Sequence, residues 1–378
     1  MILKAASRMD GIERTLIRRI FDSAPPGSIN LGLGQPDLPT PPSIALAGIE
    51  AIASGRTAYT STGGDPALRE AIARRYPGIA EGGASVIVTV GSQEAVFAAV
   101  LTLVDPGTEV LFPDPGYPAY PVLAQLAGAR AVPYPLRPER GFRLDPDDVA
   151  ARLTERTRLV ILCSPSNPTG AIDDDRDLAR LAAILEERGV PWLSDEIYAS
   201  FAYDRPATSI ARHAPGGGLV VSGLSKDVSM TGWRVGWAVG PAPIVARLVA
   251  CHQYVVTCAS SVSQAAALAA LRPEADAERA RYLEIFRRRR SVMLEALSAI
   301  PGLPVVPPDG AFYFFVDVRG RGGSIEIAER LLRRGRVITI PGEAFGPGGA
   351  GFLRLSYAAS EEDIRAGIAA LGLELTSG

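Results

Sequence analysis

From about residue 85 to 240, short β-branched runs alternate with helical patterning. SVIVTV (85–90) precedes a predicted helix opening at Ser92, and EVLFP (109–113) precedes one over roughly 117–127. TRLVILCS (157–164) and VPWLSD (190–195) flank a helix over 173–188, and LVVSGL (219–224) and VGWAVG (235–240) complete the series. Continuous apolar strands separated by helices predict a mostly parallel sheet covered on both faces. A long helical stretch, about 274–300, then runs into PGLP. Beyond it AFYFFVDV, VITIPG and FLRLSY read as strands of a smaller α+β unit. Its expected partner is the N-terminal segment, where PPGSINLGLGQPDLPTPP is loop by its Gly and Pro content. The predicted fold class is α/β: a mostly parallel mixed sheet sandwiched by helices over residues 41–280, and a smaller α+β domain formed by both chain ends, 1–40 and 281–378.

Composition narrows the partners. The 378 residues are 47% hydrophobic, enough for a substantial core, and fit two or three domain-sized units. A net charge of −2, from 39 basic and 41 acidic residues, gives no reason to expect nucleic acid. The basic run Arg287–Arg290 lies among apolar positions (Tyr282, Ile285, Phe286, Met293, Leu297) recurring at threes and fours, and reads as the solvated face of a helix. Cys163, Cys251 and Cys258 form no CxxC pair and no metal-spaced set with His213 and His252. That argues against a disulfide framework or a metal site and suits a reducing compartment. The longest strongly apolar run, Ala95–Val104, is half a membrane span, and no apolar leader follows the first charges. A cytoplasmic protein without a membrane partner is expected.

The candidate chemistry collects at the C-terminal ends of the predicted strands, where ligands gather in open α/β sheets. GSQE, PDPGYPAY, SPSNPTG, DEIY and the segment SGLSKDVSMTGWRVG each follow or overlap one. The last holds Lys226, one of two lysines in a chain with 39 basic residues. A guanidinium stays protonated, whereas an amine can shed its proton and condense with a carbonyl. A lone lysine is more often a surface residue, so its surroundings must decide. Gly91-Ser92-Gln93 is a strand-to-helix turn suited to phosphate, although a plain N-cap looks the same. Arg234, eight residues after Lys226, is placed to clamp the same phosphate or to make a surface ion pair. Asp195 ends a strand and needs a cationic partner if buried, a helix N-cap or a structural ion pair being the alternatives, while Glu196 reads as structural. Asn167 is a turn residue or a donor to a ligand oxygen. Arg354 points opposite to Leu353 and Leu355, toward solvent or toward a substrate carboxylate.

Together SPSNPTG, DEIY and GLSKDVSMTGWRVG resemble the fold-type I pyridoxal-phosphate enzymes, specifically the class I/II aminotransferases of the aspartate aminotransferase superfamily. LGLGQPDLPTP, YTSTGGDPALRE, GSQEAVF, PDPGYPAY and GEAFGPGGAGFLRLSY extend the resemblance over nearly the whole chain. It implies pyridoxal 5'-phosphate as cofactor, bound in the 41–280 domain. Lys226 would form the Schiff base and shuttle the proton. Asp195 would hold the pyridine nitrogen protonated, and Asn167 and Tyr198 would bond the phenolic oxygen. Tyr117 would stack on the ring, and Ser92, Gln93, Ser225 and Arg234 would bind the phosphate. Tyr59 would reach a partner subunit's phosphate, implying a homodimer. Arg354, aided by Gly34 and Asn167, would hold the substrate carboxylate. The implied reaction moves an amino group from an L-amino acid to a 2-oxo acid. The family's second arginine for dicarboxylic substrates has no counterpart in QYVVTCASSVSQ (253–264), which holds no basic residue and so favours neutral or aromatic donors. The same cofactor residues also serve carbon–sulfur β-lyases and oxidative or decarboxylating deaminases. A non-catalytic ligand-sensing domain of transcriptional regulators would need a basic helix pair that the Gly/Pro-rich first 40 residues do not suggest.

Overall fold

A seven-stranded sheet organises the computed structural model, which describes residues 3–376. The two outermost positions at each end of the expected small domain lie outside the described residues. The N-terminal segment carries α1 (Leu16–Ser23) and β1 (Ile29–Asn30), then α2 (Pro42–Ala53) and α3 (Pro66–Ala73). The sheet region follows with β2 (Val86–Thr89), α4 (Ser92–Leu103), β3 (Glu109–Asp114), α5 (Ala119–Leu126), β4 (Arg130–Pro135) and α6 (Pro146–Ala150). It continues through β5 (Thr157–Cys163), α7 (Asp175–Arg188), β6 (Trp192–Asp195), β7 (Gly218–Gly223) and β8 (Gly236–Val239). Helices α8 (Ala242–Val256), α9 (Ser261–Ala270) and α10 (Asp276–Ser298) lead to β9 (Tyr313–Asp317) and α11 (Ser324–Arg330). Strands β10 (Val337–Ile338), β11 (Ile340–Pro341) and β12 (Phe352–Ser356) and helix α12 (Glu361–Thr376) close the chain.

The strand order is β2-β8-β7-β6-β5-β3-β4; β8 runs antiparallel to both neighbours and every other pair is parallel. Alternate residues of one strand enter different cores. Val160 and Leu162 pack with Val86, Trp192 and Val220, while Leu159 and Ile161 pack with Ile87, Leu193 and Val221. Each side chain withdrawn from water contributes about 1.5–3 kcal/mol, so burial on both faces explains the unbroken apolar runs. Helix α7 shows the complementary periodicity: Leu178, Leu181, Ala182 and Leu185 are buried, and Gly189 ends the helix at φ 61°.

Strand β4 is not apparent in the sequence pattern, because Pro133 and Pro135 read as loop. It sits at the sheet edge, where a missing N–H is tolerated. Helices α2, α3, α8 and α9 are likewise absent from the pattern reading.

A second, antiparallel sheet of β11-β12-β9 packs with α10, α11 and α12 around Phe286, Phe312, Phe314, Tyr357 and Leu371. β1 joins this region by parallel pairing with β10, Ile29 opposite Val337. The basic run on α10 corrects the expectation of a solvated face. Arg289 is 7% exposed and bonds Asp37 through both Nη atoms at 2.6 and 2.8 Å, and Arg290 bonds Asp204. α10 is covered on this side by the loops at 37 and 203–204, and a charge there must be paired.

Candidate active site

A cavity of ≈ 200 Å³ opens at the C-terminal ends of the parallel strands. Ser92, Gln93, Tyr117, Asn167, Asp195, Tyr198, Ser225, Lys226 and Arg234 line it, arriving from separate strand ends. Arg354 and Gly34 adjoin this group through hydrogen bonds. Tyr59 does not: it stands 86% exposed, outside the cavity.

Helix α4 supplies one end. Its N-cap, Gly91, has φ 79° and no side-chain cap, so the first N–H groups face outward. A β-carbon on Gly91 would lie 2.3 Å from Arg234 Nη2, so the guanidinium rests on the turn's backbone. Arg234 is itself at φ 55° and is anchored by Nη1 to the Thr231 carbonyl at 3.0 Å. Helix N–H groups beside a cation make an anion site. Glu94 stiffens the turn from below: Oε2 accepts from the Val90 N–H at 2.6 Å, and Oε1 lies 2.6 Å from Nδ1 of fully buried His252.

At the far wall Asp195 ends β6, buried. Desolvation pushes its pKa up, and the Tyr120 hydroxyl (2.9 Å) and the Ile197 N–H oppose that shift. Glu196 points elsewhere, accepting from Ser194 Oγ at 2.8 Å, and burial raises it to about 7. Tyr117 lies edge-on to Tyr120, centroids 5.5 Å apart, and donates to Gln93 Oε1 at 3.0 Å.

Lys226 sits between these ends, after β7. Its Nζ donates to the Gly34 carbonyl at 2.6 Å. Desolvation, then the Arg354 and Arg234 charges, lower its pKa to about 8 against a partial upward pull from Asp195. Such an amine is available as a neutral nucleophile near physiological pH.

Arg354 comes from β12 and is 2% exposed. It donates to Asn167 Oδ1 at 2.8 Å and to the Gly32 carbonyl at 2.5 Å, and lies between the rings of Tyr313 (4.4 Å) and Phe345 (4.6 Å). Its Nε is buried without a partner. A buried charged group with an unmet donor calls for an anion.

These features fit a phosphorylated, cationic ring with a carbonyl and a carboxylate-bearing substrate beside it. The turn would accept phosphate, Asp195 would accept a protonated nitrogen, Lys226 would meet the carbonyl, and Arg354 would meet the carboxylate. Sequence reasoning missed Gly32, Tyr120, Tyr313, and the Glu94–His252 pair. Only Tyr120 left a sequence signal, standing three residues after Tyr117 in PDPGYPAY.

Residues 26–371 match the family model for aminotransferase class I and II. The chain is 36% identical to the aspartate aminotransferase of Pyrococcus horikoshii, over 95% of this chain and 94% of that one. It is 34% identical to aromatic-amino-acid aminotransferase 2 of Thermococcus litoralis, over 95% of each. Among solved structures it superposes on aspartate aminotransferase from Thermus thermophilus with maleate at a TM-score of 0.92 and 34% identity, covering 99% of this chain and 100% of that one.

Proposed function

The chain belongs to the class I and II aminotransferases, and from that premise we propose that its cavity holds pyridoxal 5'-phosphate and takes neutral or aromatic L-amino acids in preference to dicarboxylic ones. The enzyme moves an amino group from an amino acid to a 2-oxo acid. The observation that carries the cofactor assignment is Lys226, the chain's single interior lysine, sharing one cavity with buried Asp195.

The phosphate would be held by Ser92, Gln93, Ser225 and Arg234 at the start of α4. Asp195 would pair with the ring nitrogen, Asn167 and Tyr198 would donate to the phenolic oxygen, and Tyr117 would lie against the ring. Lys226 would engage the carbonyl carbon. When bound, the cofactor supplies a ring that accepts the electrons of the substrate's Cα–H bond.

The chain's own groups do the rest. Arg354, with Asn167, binds the α-carboxylate and so orients Cα toward Lys226. Gly34 holds Nζ by its carbonyl at 2.6 Å. Nζ takes the Cα proton and delivers it to the carbon that bore the cofactor's carbonyl; in the cofactor-free protein its pKa is already lowered to about 8, toward the range a general base requires. Tyr120 donates to Asp195 and favours its ionised form against the upward push of burial. The basic side chains lining the cavity are Lys226 and Arg234, with Arg354 adjoining. All three are engaged by these roles, which supports the preference for uncharged donor side chains.

The same reading includes a homodimer. Leu46, Ile49 and Ile52 on α2 are about 60% exposed, and Tyr59 and Tyr254 stand 86% and 90% exposed. Exposed apolar side chains recurring at threes along α2 support a protein contact there. It also assigns residues 41–280 to a cofactor domain and 1–40 with 281–378 to a small domain, the boundary falling within α10. Three free cysteines support a cytoplasmic setting. Among the described residues no helix is long and apolar enough to cross a membrane.

The test is a donor panel of phenylalanine, leucine and aspartate, with and without a 2-oxo acid, following ammonia and product amino acid. Product amino acid that depends on the 2-oxo acid, fastest with phenylalanine or leucine, is expected. Ammonia released without the 2-oxo acid overturns the reaction, and aspartate as best donor overturns the preference. Borohydride reduction of the loaded enzyme is expected to leave a pyridoxyl adduct on the Lys226 peptide.

A further inference from the structure

Tyr313 lies behind the cavity wall, yet it touches two groups that shape the cavity and crowds a third. Its hydroxyl is 2.7 Å from that of Tyr198, with the rings edge-on at 5.6 Å. Its ring centroid is 4.4 Å from the Arg354 guanidinium carbon. A β-carbon on Gly34 would lie 2.1 Å from its hydroxyl oxygen, so only a glycine at 34 leaves space for that oxygen. The β9–β12 register explains the placement: Tyr313 faces Ser356 and Phe315 faces Arg354, so Tyr313 and Arg354 project from one side of the sheet. The Tyr313 and Tyr198 rings share one core cluster with Phe312 and Phe314.

A phenol carries one proton. Tyr198 is 4% exposed and Tyr313 1%, so neither has bulk water as an alternative partner. At 2.7 Å one hydroxyl donates to the other. If Tyr198 donates, its proton is spent on Tyr313 and the cavity is offered none. If Tyr313 donates, Tyr198 accepts from behind and is free to donate forward into the cavity it lines. An anionic oxygen in the cavity selects the second arrangement, because only that one provides it with a proton.

We propose that Tyr313 is a positioning residue for amino-group transfer: it donates to Tyr198, committing the Tyr198 proton to the cofactor's phenolic oxygen, and its ring holds Arg354 flat for the substrate carboxylate. The proposal rests on the reading that pyridoxal 5'-phosphate occupies the cavity. A core aromatic would need no hydroxyl here. The oxygen is accommodated only because residue 34 has no side chain, and it meets Tyr198.

The test titrates the absorbance of the cofactor-loaded enzyme against pH in four forms: wild type, Tyr313→Phe, Tyr198→Phe, and the double variant. Tyr313→Phe keeps the ring on Arg354 and removes one oxygen. It is expected to raise the absorbance midpoint by about half a pH unit, since a second bond in a chain strengthens the first. In the Tyr198→Phe background the same change is expected to do nothing. Tyr313→Leu, which removes the ring, is expected to raise KM for the amino donor about tenfold. An unchanged midpoint in Tyr313→Phe, or an equal shift in both backgrounds, overturns the proposal. If the wild-type chain itself takes up no cofactor, with no absorbance band at any pH, the reading of the cavity fails instead.

Discussion

Lysine scarcity makes the ionisation of Lys226 directly measurable. In the cofactor-free protein burial and two arginines bring its pKa from 10.5 to about 8. At pH 7.5 such an amine is roughly one-quarter neutral, against about one part in a thousand for an unperturbed one. Brief acetylation over a pH series, followed by peptide mapping, reports the neutral fraction at each lysine. Lys4, exposed in the N-terminal segment, is the internal control. Lys226 labelling is expected to rise with a midpoint near 8, clearly below that of Lys4. Arg354→Gln removes the larger of the two repelling charges and is expected to move the midpoint upward. The same shift carries a stability signature. The unfolded chain holds the proton more tightly, so stability increases as pH rises from about 8 through 10.5, and the full cost applies below 8. That cost is 10.5 − 8 = 2.5 units, or about 3 kcal/mol. Cofactor-free Lys226→Met should therefore be up to about 3 kcal/mol more stable than wild type at pH 7 in urea unfolding, the gap closing toward pH 10.5. A Lys226 midpoint at or above that of Lys4, or no stability gap at pH 7, would refute the reasoning.

Two further outcomes test the walls of the cavity. Tyr120→Phe removes a donor to the Asp195 carboxylate, worth about 1.5–3 kcal/mol. Since burial already raises Asp195, the acid limb of kcat/KM should move to higher pH by about one unit or more, and an unmoved limb would exclude the role. His252→Ala leaves Glu94 without its partner three residues after the N-cap of α4. Binding of pyridoxal 5'-phosphate to the cofactor-free protein should weaken about tenfold while binding of unphosphorylated pyridoxal is unchanged. Equal loss for both ligands would place the effect outside the phosphate turn.

Strands buried on both faces and the helix periodicity of α7 and α10 were legible because each pattern is local. So were the strand-end motifs, whose residues share short segments with their supporting turns. Strand β4 escaped because its prolines are acceptable only at an edge, and edge position is a property of the whole sheet. Arg289 was read as solvated because its cover, Asp37, lies 252 residues away in the chain. Tyr120 and Tyr313 escaped for the same reason: their partners, Asp195 and Tyr198, sit 75 and 115 residues distant. An aromatic that supports a site looks, in sequence, like one that fills a core.

The pairing of β1 with β10 sets an order of assembly. Ile29 meets Val337, 337 − 29 = 308 residues later. At translation rates of about 5–20 residues per second, the N-terminal segment waits on the order of 15–60 s for its strand partner. The seven-stranded sheet, with Asp195 and Lys226, is synthesised within that interval, whereas Arg354 lies beyond β10 and is synthesised after it. A nascent chain at that point holds the residues proposed for the phosphate and the ring but not the arginine proposed for the carboxylate. On the proposed roles, competence toward the amino donor is the last property the emerging polypeptide acquires.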